Sequence, residues 1–182
     1  MSYGQVDWGD DPASDPAAAN LLSNFGRVYP FSAVEVGTSG VPGFSMIFTS
    51  ATAILSYQPQ GGAPAPLNVD LLDPSSSASG AFGSAVLAMR LDIDFGDAGY
   101  LPNASGQRFG DLRLCNLPQT SLNGMTVREV MTVLNTALGG GTTGGYTYDE
   151  LYAIAENASS AFTDGFATGF AQQYMVSGPS CQ

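Results

Sequence analysis

Apolar and polar positions recur along this chain with two different periods, and the change of period divides it. Between residues 31 and 117 the period is two. Phe44, Met46 and Phe48 occupy one parity, and Leu67, Val69 and Leu71 alternate with Asn68 and Asp70. Ala51 to Tyr57 is rich in small and β-forming residues. The longest alternation is Leu87, Met89, Leu91, Ile93 and Phe95 against Ala88, Arg90, Asp92 and Asp94. Period two puts one set of side chains on each face of a strand and predicts one apolar and one wet face. One-sided strands of this kind belong to antiparallel sheets. Leu112-Arg113-Leu114-Cys115 repeats the pattern, which places Arg113 and Cys115 on a polar face.

From residue 118 to 176 the period becomes helical. Val127, Val130, Met131, Leu134 and Leu138 fall on one helix face, behind Thr126 as N-cap and Glu129 three residues on. Gly139-Gly140-Gly141 ends that helix. A second capping box, Thr147 with Glu150, opens a helix through Leu151, Ile154, Ala155, Ala158 and Phe162. Phe166, Phe170 and Tyr174 suggest a last short helix. The expected fold is α+β: an antiparallel β-sheet or small sandwich followed by two or three C-terminal helices.

Residues 1–30 read separately, as an acidic N-terminal arm on a single α+β domain of residues 31–182. Asp7, Asp10, Asp11 and Asp15 occur there before any cation. Two Asp-Pro steps break regular structure, and Asp15 with Pro16 can open a short helix. Tyr3, Trp8, Tyr29 and Phe31 lie on or beside this arm, where exposed aromatics serve as interface anchors.

Charge narrows the chemistry. Five cations, all Arg, stand against sixteen anions, for a net charge of −11 over 182 residues, with no His. Such a chain repels nucleic acid and anionic lipid. It lacks the commonest general base and metal ligand, and without Lys it forms no Schiff base. A Ser nucleophile finds no His partner. No apolar run is long enough to span a bilayer, so membrane insertion is not expected.

Asp92, Asp94 and Asp97 are the densest carboxylate cluster. On a strand, Asp92 and Asp94 share a face, and with Asp97 in the next turn they offer oxygen ligands for calcium. The spacing departs from the EF-hand, since Gly96 stands at the third ligand position and no Glu closes the loop. The same pair meets the separation a glycosidase needs, without an apolar pocket to raise one pKa. Otherwise the three form a solvated strand face paired to Arg90 or Arg113. Gly139 to Gly144 matches a Gly-x-Gly-x-x-Gly string but follows a helix, which makes it a connection and not a nucleotide site. Asn103-Ala104-Ser105 and Asn157-Ala158-Ser159 are glycosylation sequons. Cys115 and Cys181 permit one disulfide, worth roughly 4 kcal/mol in the chain-entropy model; two unrelated thiols are the alternative. Zinc has no ligand set here.

The strings Phe109-Gly110-Asp111-Leu112-Arg113-Leu114, Leu122-Asn123-Gly124-Met125-Thr126-Val127-Arg128 and Leu134-Asn135-Thr136-Ala137-Leu138-Gly139-Gly140-Gly141, with Phe162-Thr163-Asp164-Gly165 and Phe170-Ala171-Gln172-Gln173, resemble a group of uncharacterised exported bacterial proteins that often carry a PEP-CTERM-type sorting signal. The resemblance spans roughly residues 50–175 and implies export without implying a reaction. The acidic, polar start is the reverse of a signal peptide, and no hydrophobic sorting tail precedes Cys181-Gln182. The expectation is a non-catalytic, extracellular or cell-surface structural protein that self-associates, as a homo-oligomer or filament. The alternative is a calcium-dependent binding module for a glycan or surface partner. No other cofactor is expected.

Overall fold

Asp15 accepts hydrogen bonds from the backbone N–H groups of Ala17 and Ala18, and with Pro16 at the first turn it starts a helix of thirteen residues. The structure, a computed structural model, describes residues 1–30, 33–40, 42–102 and 106–181. Its helices are α1 (Gln5–Trp8), α2 (Pro16–Val28), α3 (Ala51–Tyr57), α4 (Gly80–Asp97), α5 (Val127–Leu138), α6 (Tyr148–Ser159) and α7 (Gly169–Tyr174). Its strands are β1 (Val34–Gly37), β2 (Ser45–Phe48), β3 (Leu71–Leu72), β4 (Arg113–Leu114) and β5 (Met175–Val176), with a 3₁₀ turn at Phe109–Asp111.

These elements correct the expected architecture. Among the described residues, seven helices hold 45% of the chain and strands only 9%, and the helices are interspersed from end to end. Among the described residues there is no sandwich, and the larger sheet is not purely antiparallel. Strands β1, β2 and β3 form one small mixed sheet, β1 antiparallel and β3 parallel to β2. Strands β4 and β5 form a separate antiparallel pair.

The largest correction is α4. The stretch expected as the best strand is an 18-residue helix at the centre of the molecule. Thirteen of its residues are buried, and only a narrow stripe at Arg90, Asp94 and Asp97 reaches solvent, so the helical period is faint. A helix apolar nearly all round belongs in a core. Its partners are α6 along its length, α5, α1 and β1. The alternation came from Ala88 and Asp92, which occupy the supposed wet parity and are both fully buried. Ala51 to Tyr57 is also helical: Ser50 caps it by accepting from Ala53 N–H, and Ala51, Ile54 and Tyr57 line its buried side. At the entry to α4, Gly80 has φ +55°, and a Cβ there would collide with the Ala63 carbonyl oxygen.

Helices α5 and α6 form as their sequence indicates. Thr126 and Thr147 each accept from the N3 backbone N–H, while Glu129 and Glu150 each accept from the N-cap N–H. Cys115 and Cys181 are disulfide-bonded, with Cα atoms 5.6 Å apart. Cys115 is 1% exposed, which corrects its expected place on a polar strand face: β4 pairs antiparallel with β5, and just beyond it Cys115 N–H donates to Tyr174 O. No described helix is long and apolar enough to cross a membrane.

Candidate functional site

Turning residues 87–95 from strand to helix changes what the three aspartates can do. Positions two apart share a strand face, but on a helix they stand about 200° apart. Asp92 and Asp94 therefore point to opposite sides of α4. Asp94 lies four residues after Arg90, and Asp97 seven, so these two follow the solvent-edge stripe while Asp92 faces inward.

Asp92 is fully buried against the N-terminal segment. Its Oδ1 accepts from Tyr3 N–H at 2.9 Å and from Trp8 Nε1–H at 3.2 Å. Its Oδ2 is buried without a hydrogen-bond partner. Burial pushes this carboxyl well above the usual 3.8, and the two N–H donors oppose that shift only in part. Nearby carboxyls move the same way. Burial raises Asp7 and Glu156, and Glu156 accepts from Gln5 Nε2 at 3.0 Å.

Asp94 serves a different network. Its Oδ2 accepts from Arg90 Nε at 2.6 Å and from Tyr29 OH at 2.8 Å. Burial, and next the Asp94 charge, hold the Tyr29 hydroxyl far above its ordinary value. Asp97 serves a third. Arg128 of α5 grips it with Nη1 at 2.6 Å and Nη2 at 2.5 Å, and reaches Asp111 with Nε at 2.9 Å. This fork-shaped pairing ties α5 to the end of α4, and its hydrogen bonds raise the Arg128 pKa.

The structure thus does not bring Asp92, Asp94 and Asp97 together. Among the described residues no three Asp, Glu, Cys or His side chains converge on a point that could hold a metal ion. The expected calcium cradle rested on strand geometry and fails with it. The melting temperature should be the same in calcium and in EDTA, as differential scanning fluorimetry can check; a calcium-dependent rise of several degrees would mean a site exists. Nor does Asp92 offer a catalytic acid, because nothing outside the fold can touch a carboxyl enclosed on every side.

The expected interface aromatics are placed with equal clarity. Trp8 is 0%, Tyr3 7% and Tyr29 9% exposed, so none of the three faces a partner. Trp8 sits between Tyr3 and Phe95, with ring centroids 5.7 and 5.2 Å away. Tyr29 packs on Phe25 and Phe95. Phe31 lies outside the described residues, as does the sequon Asn103-Ala104-Ser105. Asn157 of the second sequon is exposed on α6, its amide donating to Ala153 O at 2.6 Å.

Sequence reasoning missed the link between Asp92 and Trp8, which are 84 positions apart. The one available signal was a lone acid inside an apolar run, with a lone Trp elsewhere. No protein-family model, curated protein or solved structure matches this chain.

Proposed function

We propose that this is a non-catalytic exported structural protein whose copies self-associate, at the cell surface or in an extracellular filament, by pairing through the open edge of the three-stranded sheet. The observation that carries this reading is the exposure of β3. Leu72 is 68% exposed on the outer strand of the sheet, with Val69 at 49% just before it. β3 pairs only with β2, so one side of its backbone has no strand beside it among the described residues. An unpaired edge bearing apolar side chains is a template for another chain. Asp70 and Asp73 flank it, but both are turned to the β2 side, Asp70 accepting from Ser45 N–H and Asp73 from Thr49 N–H and Oγ1–H. The opposite edge, at β1, is already engaged: Gly37 N–H donates to Asn135 Oδ1 of α5. A single open edge favours a two-fold pair of β3 strands as the first step.

The same chain carries a disulfide closing a separation of 66 residues, which suits an oxidising compartment. Its carboxylate cluster is consumed by structural contacts, and its composition lacks His and Lys, which favours a non-catalytic role.

Sedimentation velocity from micromolar to near-millimolar concentration tests this. The wild type is expected to form dimers or larger species, and Leu72→Lys to remain monomeric with an unchanged melting temperature. A wild type that stays monomeric at the highest concentration overturns the reading.

A further inference from the structure

A cavity of ≈ 380 Å³ opens beside the C-terminal end of α4. Small-molecule sites span about 300–1,000 Å³ and are mostly apolar with a few placed polar groups. The walls here fit that description. Leu101, Phe109, Leu112, Phe162 and Met175 contribute apolar side chains that are buried or half-buried. Leu101, Phe109 and Leu112 share one stretch of chain, and Phe162 and Met175 are brought to it from 50 or more positions away only by the tertiary fold. Arg108 is the one ionised side chain among the described lining residues.

Two features set this cavity apart from a gap between loose ends. The first is its rigid wall. Met175 belongs to β5, which pairs with β4 and is held there by Cys115 N–H to Tyr174 O at 2.8 Å and by Arg113 Nε to Gly178 O at 3.2 Å. The disulfide from Cys115 to Cys181 fastens the segment beyond. The second is the state of Arg108. Its Nη1 stands 3.6 Å from Asp97 Oδ1, a long contact, because Arg128 already holds that carboxylate by two short bonds. A guanidinium has five donors, so Arg108 can take a second carboxylate without breaking a tight pair.

We propose that this cavity binds a small amphiphile bearing one carboxylate, of the medium-chain fatty acid class. The apolar body lies against Phe109, Leu112, Phe162 and Met175, and the carboxylate lies on Arg108. Binding requires neither catalysis nor self-association, and so stands independently of the assembly reading.

Isothermal titration calorimetry of the disulfide-bonded full chain with decanoate, and separately with decanol, tests it. One decanoate per chain is expected. Arg108→Gln should weaken decanoate about tenfold, the loss of a charge-assisted bond of about 1.4 kcal/mol, and leave decanol unchanged. Ala167→Trp, at an exposed position on the cavity mouth, should abolish both; Ser177→Phe, also exposed and lining the cavity, serves if the first variant melts early. Reducing the disulfide should weaken both ligands. No detectable decanoate binding overturns the proposal. So does binding that Arg108→Gln and the mouth variants leave unchanged, which would mean adsorption elsewhere on the surface.

Discussion

Asp92→Ala is expected to lower folding stability by about 2–6 kcal/mol, because Tyr3 N–H and Trp8 Nε1–H would each be left buried without an acceptor, at about 1–3 kcal/mol apiece. Asp92→Asn keeps an acceptor oxygen in place and should cost little. The comparison gains force from its pH dependence. In the unfolded chain the Asp92 carboxyl ionises near 3.8, while in the folded chain burial holds its proton to much higher pH. Between those values the folded state binds more protons, so stability falls as pH rises. Asp7 and Glu156, also raised by burial, act in the same direction. Glu129, Glu150 and Asp73 act oppositely: hydrogen bonds lower them, so their contribution is lost only as pH drops through their still more acidic range. The protein should therefore be more stable at mildly acidic than at neutral or basic pH. Urea midpoints at pH 5 and pH 8 read this directly. The wild type should lose stability between them and Asp92→Asn should lose much less. A wild type that gains stability over that interval, or a variant with the same slope, would contradict the role given to Asp92.

Trp8→Ala should be as damaging, at about 3–5 kcal/mol, the usual loss for removing a large buried aromatic. Trp8 is fully buried between Tyr3 and Phe95 and joins residues 1–8 to the central helix. Val6, 58% exposed on the same short helix, is the control, and Val6→Ala should change almost nothing. Trp8 is the only Trp, so wild-type fluorescence should be blue-shifted and move to the red in a single step with urea. An N-terminal arm that hangs free of the domain would leave Trp8→Ala with wild-type stability and show water-exposed emission.

The elements that sequence reading located well are those whose rules are local. Thr126 with Glu129, Thr147 with Glu150 and Asp15 with Pro16 are read within four residues, and all three start helices where expected. Phe44 to Phe48 holds β2, and Leu112 to Cys115 holds β4. The candidate site was much less legible. Arg90, Asp94 and Asp97, at spacings of four and seven, are a helical polar stripe and were the clue that α4 is a helix. The alternation of Leu87 to Phe95 obscured it, because an acid at position 92 looked like a residue facing water.

By itself, the sequence determined the charge, the excluded chemistries, the helix caps and the existence of two cysteines able to pair. The tertiary structure alone decided where the carboxylates point, that Trp8 and Tyr3 belong to the core, that Cys115 is buried, and that Met1 and the stretches 96–112, 162–167 and 175–177 line one cavity. The physical reason is the same in each case. Caps and turns are satisfied by neighbours in sequence, whereas the helix at the centre of a core is surrounded on nearly every side. Its polar residues answer to partners such as Tyr3 and Trp8, more than 80 positions away, and no periodicity along its own length records them.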